Sequence, residues 1–267
     1  MPIRICRSVT FLLLLALPFL PAHAESIAPS VIKNTELKAG AVASPDRYGA
    51  EVAAAVLQQG GNAVDAAVAT AFALAVTYPE AGNIGGGGFM TLWFDGKAYF
   101  LDYRETAPAA ATPNRFLDAD GKVLGREARV FSGLSVGVPG NVALAAKAHA
   151  EHGTLPWAKL FEPAIRLSEQ GFAISPRLHS LIAADRFIAQ SPEMGAYFLN
   201  RDGTPKATGT LLKNPALAAV FRRIAKEGPD ALHQGPIADE IARKVQGHAN
   251  AGSLSVADLR GYVAKER

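Results

Sequence analysis

Cysteine is almost missing: the 267 residues contain one, Cys6, close to the start of the chain. A disulfide framework and a thiolate metal site are therefore excluded. Charge is sparse as well, with 19% of residues charged and a formal net charge of +3. An apolar run long enough to cross a bilayer is also missing. Val9 to Leu20 spans 12 residues with Pro18 near its end, short of the roughly 20 that a helix needs to span. What remains is 49% hydrophobic, with 25 Gly and 17 Pro, a composition that excludes a disordered polymer and a collagen-like fibre.

The first 24 residues have the layout of a secretory signal. Arg4 and Arg7 precede the apolar run, and Ala22-His23-Ala24 supplies the small-x-small cleavage pattern. Cys6 lies before the run, which excludes a lipid-modified cysteine at the cleavage point. Removal of residues 1–24 takes two of 27 basic residues and no acidic one, leaving 25 against 24 and a charge of +1. The mature chain then has no thiol, and its near neutrality removes any electrostatic drive toward nucleic acid or anionic lipid. The expected location is periplasmic or secreted, with residues 25–267 as one partial domain and no stable membrane anchor.

Residues 25 to about 40 are polar and aperiodic. Ser44 then reads as a helix cap with Pro45 at the first helical position, opening a helix over Tyr48 to Gln59 that Gly60-Gly61 ends. Asn62 caps the next, Ala63 to about Tyr78, with Asp65 favouring the positive end of the helix dipole. That second helix has one charge in 16 residues and is apolar on nearly every face. It predicts a helix buried on all sides.

After Pro79 and the run Gly82-Asn83-Ile84-Gly85-Gly86-Gly87-Gly88, two aromatic-rich stretches, Phe89 to Phe94 and Ala98 to Tyr103, flank Asp95-Gly96-Lys97. Asp-Gly between such stretches predicts a hairpin, with a loop of two or three residues. Residues from about Ala107 to Ser132 are Pro-rich and polar, with a turn at Asp118 to Gly121 and no core pattern. Beyond the short apolar piece Leu134 to Val138, the spacing predicts helices over Val142 to His152, Leu155 to Gln170, Leu178 to Ala189, Pro215 to Glu227 and Pro236 to Gln246. Ser255 is expected to cap one more. The mixture points to α/β layers with a more helical second half.

Few residues carry chemistry. The glycine run is misplaced for a phosphate cradle: no Lys-Ser or Lys-Thr follows it, and it lies between a helix and a strand. Close passage of the chain beside a buried helix accounts for it better. Arg104, at the strand end in Asp102-Tyr103-Arg104-Glu105, can present a planar fork to a carboxylate. A structural ion pair with Asp102, Glu105 or some other acid is the equal alternative. His149 and His152, three apart, have no third ligand at a telling distance and are expected on the surface. No Gly-x-Ser-x-Gly elbow occurs, and Ser132-Gly133-Leu134-Ser135 lacks the surroundings of a nucleophile.

Three blocks in order, Gly60 to Ala69, Pro79 to Met90 and Tyr103 to Pro108, resemble the large subunit of the γ-glutamyltransferases, or glutathione hydrolases. The likeness continues through Ser135 to Gly140, Glu162-Pro163-Ala164, Gly171-Phe172, Gly228-Pro229-Asp230 and Asp258-Leu259, from about residue 40 to the end. It implies an N-terminal-nucleophile hydrolase: a four-layer αββα sandwich, incomplete in this chain, made as a precursor that cuts itself into a large and a small subunit. It further implies a threonine nucleophile, γ-glutamyl substrates such as glutathione, and no cofactor or metal. The arginine of the Arg-Glu-x-Ala-Pro block, here Arg104, is implied to hold the α-carboxylate of the γ-glutamyl group. The family's nucleophile block, Thr-Thr-His-aromatic-Ser, does not occur in these residues. The chain is accordingly expected to be an N-terminal portion, inactive alone, with the small subunit of the same precursor as its partner. A secreted amino-acid or peptide binding module and a cephalosporin-type acylase are the alternatives.

Overall fold

The structure is a computed structural model that describes residues 40–267. The expected signal segment, residues 1–24, and most of the polar lead-in lie outside the described residues.

The first two helices are α1 (Arg47–Gln58) and α2 (Ala63–Thr77). The cap of α1 is Asp46 rather than Ser44. Its carboxylate accepts from the Gly49 N–H at 2.7 Å and from the Thr77 hydroxyl, so Pro45 stays outside the helix, while the Ser44 hydroxyl is buried without a hydrogen-bond partner. Asn62 caps α2 as expected, in a reciprocal capping box with Asp65. The box is only part of what Asp65 does. It is fully buried and accepts from the backbone N–H of Asn62 at 3.0 Å, from the Thr154 N–H at 3.1 Å and hydroxyl at 2.6 Å, and from the Leu155 N–H at 3.3 Å. One carboxylate thus ties the start of α2 to a loop some 90 residues later.

The hairpin forms as β1 (Phe89–Phe94) and β2 (Lys97–Asp102), paired antiparallel from Phe89↔Asp102 to Phe94↔Lys97. The loop is two residues, Asp95 and Gly96, with φ of 48° and 75°, the geometry that matches the strands' right-handed twist. Short α3 (Arg126–Val130) interrupts the Pro-rich stretch, and the Asp118–Gly121 turn closes through the Gly121 N–H to the Asp118 carbonyl. Then come α4 (Asn141–His152), α5 (Glu162–Gln170), β3 (Phe172–Ala173), α6 (Pro176–Ala184), α7 (Pro192–Phe198), β4 (Leu211–Leu212), α8 (Pro215–Glu227), α9 (Asp230–His233), α10 (Gly235–Gln246), α11 (Val256–Arg260) and β5 (Lys265–Glu266).

The helix expected over Leu155 to Gln170 is split. A 3₁₀ turn, Trp157–Phe161, precedes α5, because Pro163 has no N–H for a continuous helix and its ring would meet the carbonyl one turn back. It sits instead in the first turn of α5. The helix expected over Leu178 to Ala189 starts at Pro176, behind a Ser175 cap, and ends at Ala184. Helices α7 and α9 and the two-residue strands β3, β4 and β5 were not signalled by periodicity, being too short to show a period.

The main sheet has the order β1-β2-β5 with β5 antiparallel to β2, and β3 pairs with β4 in a separate ribbon. Helix α2 packs against α1, α4, α5 and the 3₁₀ turn. It is not buried on all sides as its composition suggested: Ala63, Ala67 and Ala71, one turn apart along one edge, are exposed, which costs little because each leaves only a methyl group in water. Phe72 of α2 stacks on Phe161 with ring centroids 4.1 Å apart. Val68 and Phe72 of α2, Met90 of β1, Tyr103 and Leu144 line a single 40 Å³ void, which sets α2 and α4 against the inner face of the sheet. A second apolar cluster, Val138, Ala238, Val245, Leu254 and Leu259, lies under α10 and α11, and Tyr262 packs against both clusters. The opposite face of the sheet is bare: Phe89 and Trp93 are 55% and 74% exposed, and Phe100 stacks on Phe89 there. Of the layers expected, the described residues supply one of helices and one sheet.

Burial alone would raise the Asp65 pKa, but the hydrogen bonds from Thr154, Asn62 and Leu155 outweigh it, and the pKa is lowered. A carboxyl depressed on folding stabilises the fold above its unfolded value of about 3.9, and that stabilisation is lost as pH falls through the lower folded value. Asp65→Asn is expected to cost about 1.5–3 kcal/mol at neutral pH. The gap between variant and wild type should narrow below about pH 4, as read by thermal unfolding across a pH series. A gap independent of pH would remove Asp65 from this role.

Candidate functional site

Arg104 lies two residues past the end of β2. The ladder runs one rung past the strand, with the Tyr103 N–H donating to the Gly88 carbonyl at 3.0 Å. Arg104 therefore leaves the sheet at its edge with a fixed backbone. Its N–H donates to Asp102 Oδ1 at 3.1 Å, and its carbonyl accepts from the Tyr262 hydroxyl at 2.9 Å. The side chain is exposed, with the guanidinium carbon 6.0 Å from the Phe89 ring centroid. Of the two acids that sequence reading offered as partners, Asp102 pairs instead with Arg267, Nε to Oδ2 at 2.7 Å. Glu105 forms an ion pair with Arg104, Oε2 to Nη1 at 3.5 Å, with that oxygen buried and without a hydrogen bond. The rest of the Arg104 fork is exposed and makes no further ion pair among the described residues.

The glycine run is the floor beneath this strand end. A Cβ on Gly87 would come within 2.8 Å of the Glu105 backbone nitrogen and closer still to the Tyr103 carbonyl oxygen, so only glycine lets the chain cross there. The Gly86 carbonyl in turn accepts from the N–H groups of Gly140 and Asn141. The run is a close crossing of backbones, as the sequence suggested, and its neighbour is the strand end as well as helix α2.

Charge around Arg104 is arranged by the same contacts. The hydrogen bond from Arg267 holds the Asp102 carboxyl below its usual range. Burial, with the nearby Asp102 and Glu105 charges, pushes the Tyr262 hydroxyl up to about 12, and burial raises Tyr103. Both phenols are therefore neutral donors at physiological pH. Tyr262 and Arg267 were invisible to sequence reading as parts of this site, being 158 and 163 residues from Arg104 with no local signal.

The histidines resolve differently from expectation. His149 and His152 are half-buried rather than on the surface. One ring nitrogen of His149 lies 2.7 Å from the Leu155 carbonyl oxygen, and His152 packs on Phe94 and Tyr99. Ser132 and Ser135 both donate to the Arg129 carbonyl. Among the described residues no three His, Cys, Asp or Glu side chains stand close enough to hold a metal, and no helix is long and apolar enough to cross a membrane. Clefts elsewhere, one of 610 Å³ by Tyr78, Glu80 and Arg177 and one of 310 Å³ by Glu51 and Arg166, do not include Arg104 in their walls.

The layering and the strand-edge arginine define the class first: an α/β protein whose solved structural relatives are N-terminal-nucleophile hydrolases. The family model described as Gamma-glutamyltranspeptidase matches residues 49–267. The chain belongs to that family. It is 47% identical over 232 residues to a glutathione hydrolase proenzyme of Pseudomonas aeruginosa, a match covering 86% of this chain and 40% of the relative. The solved gamma-glutamyltranspeptidase of Pseudomonas nitroreducens, in complex with L-DON, superposes with a TM-score of 0.78 at 46% identity, covering 86% of this chain and 67% of the other. A cephalosporin acylase from Bacillus halodurans is similar at a TM-score of 0.68 and 27% identity, over 82% of this chain and 41% of the other. The chain spans about two fifths of the length of the Pseudomonas aeruginosa relative.

Gly87→Ala should displace the strand end rather than be absorbed, because the atoms it meets are backbone. A loss of about 1–3 kcal/mol is expected, measured by chemical unfolding. A neutral outcome would show that the crossing has room.

Proposed function

We propose that this chain carries the γ-glutamyl head-group site of a γ-glutamyl hydrolase or transferase, exported to the periplasm or beyond. The observation that supports it most is the exposed guanidinium of Arg104 at the sheet edge, with Asp102 taken by Arg267 and Glu105 reaching only one Nη at 3.5 Å. A planar fork binds a carboxylate through two parallel charge-assisted hydrogen bonds. In this reading Arg104 grips the α-carboxylate of a γ-glutamyl compound such as glutathione. The bare aromatic face of Phe89, Trp93 and Phe100 receives the second subunit of the same precursor, which brings the nucleophile.

The chemistry follows from an N-terminal threonine supplied by that subunit. Its hydroxyl oxygen attacks the γ-carbonyl carbon while its own amine accepts the hydroxyl proton. The carbon–nitrogen bond breaks, the leaving amine takes the proton, and an ester to threonine remains. Water then attacks the ester, releasing glutamate and restoring the hydroxyl. An acceptor amine in place of water gives a new γ-glutamyl amide. Arg104 contributes by fixing the far end of the substrate, so that the γ-carbonyl is presented in one orientation.

An acylase of the cephalosporin type is the second reading, favoured by the likeness to the Bacillus halodurans structure. An acyl donor without the α-carboxylate separates the two. Preference for it over a γ-glutamyl anilide would favour the acylase.

In the whole precursor, Arg104→Lys keeps the charge and loses the fork. One charge-assisted bond of about 1.5–3 kcal/mol corresponds to a roughly 10- to 100-fold fall in kcat/KM for a γ-glutamyl anilide, carried mainly by KM. Unchanged KM and kcat would refute the clamp. The purified 267-residue chain alone should release no glutamate from the same anilide, and measurable turnover would place the nucleophile within it.

A further inference from the structure

Asp102 and Arg104 are two residues apart on extended backbone, because the ladder continues through Tyr103. Alternation along a strand puts their side chains on one face. Phe89 marks the same rung: it is the cross-strand partner of Asp102, and the Arg104 guanidinium lies over its ring. An acid and a guanidinium so placed pair with each other unless something else holds the acid. Here something does. Arg267 Nε lies 2.7 Å from Asp102 Oδ2, while Asp102 Oδ1 is taken up by the backbone N–H of Arg104. Arg267 is delivered by backbone pairing and not by chance approach. Strand β5 pairs Leu101↔Glu266 and Asp102↔Lys265, and the Arg267 N–H donates to the Phe100 carbonyl at 2.9 Å.

We infer that Arg267 is a positioning residue: by occupying the carboxylate of Asp102, it keeps that acid from joining Glu105 in pairing with Arg104 and from repelling an incoming carboxylate, so the remainder of the Arg104 fork stays open to substrate. The inference rests on the proposed reading of Arg104 as the substrate clamp. The acid could otherwise act in two ways, both against binding. It would compete for the guanidinium, and as an unneutralised anion it would stand beside the place where the substrate's own carboxylate arrives. Both effects act on binding of the head group and leave the acyl-transfer steps untouched.

The test is a set of variants in the whole, matured precursor, with a γ-glutamyl anilide as substrate. Arg267→Met should raise KM roughly two- to fivefold, the range of an exposed ion pair, with kcat unchanged. Adding Asp102→Asn to Arg267→Met should bring KM back, since the competing charge is gone. A residue with a merely structural role gives no such rescue, because the double variant removes both halves of the contact. Maturation is read on the same samples from the two subunit bands on a denaturing gel. If Arg267→Met does not mature, Arg267→Gln takes its place, and a KM rise cancelled by Asp102→Asn remains the required result. A KM that stays put, or a rise that Asp102→Asn does not reverse, overturns the inference. If Arg104→Lys raises KM in parallel, the clamp survives that failure. If it does not, the clamp falls and the inference with it.

Discussion

A helix with almost no polar side chain has to be covered over most of its surface, and that requirement organises this protein. Helix α2 meets it through α1, α4, α5, the Trp157–Phe161 turn and the inner face of the hairpin, leaving exposed only an edge of small side chains at Ala63, Ala67 and Ala71. Its single charge, Asp65, is fully buried. Such burial is tolerable because four donors converge on the carboxylate. Three of those donors come from the loop after α4, so satisfying the acid also fixes where α4 ends and where the aromatic cluster of Phe72, Trp157 and Phe161 can form. Covering one helix thereby sets the layer on which the sheet rests.

The site grows from the other end of that layer. Two backbones cross at Gly87 and Tyr103 with no space for a side chain between them, which fixes where β2 ends and Arg104 begins. The segment after α11 then returns to the same place. Tyr262 reaches the Arg104 carbonyl, β5 adds a third strand, and Arg267 engages Asp102. Groups around the guanidinium therefore hold its backbone and occupy Asp102, while Glu105 reaches one Nη and the rest of the fork is exposed. The aromatic face beside it has the exposure of a surface meant to be covered.

How far the residues announced this varies with the range of the interaction. The Asn62 cap, the all-apolar α2, the Asp95-Gly96 turn, the Ser255 cap and helix α8 were legible because each depends on neighbours within a few positions. The α1 cap was misplaced by two residues because Asp46 also bonds Thr77, a contact 31 residues away. The break before Pro163 was missed although proline alone predicts it. His149 and His152 read as surface residues because their covers, Leu155, Trp157, Phe94 and Tyr99, come from other elements.

Arg104 shows the division most plainly. Its residue type, its place at a strand end and the Arg-Glu-x-Ala-Pro block around it were enough to single it out, since the chemistry of a planar cation is intrinsic to the side chain. Which acid that cation meets could not be read locally, because Asp102 and Glu105 both lie within two residues of it. The outcome depends on a strand that joins the sheet from more than 160 residues downstream, and only folding brings Arg267 to Asp102.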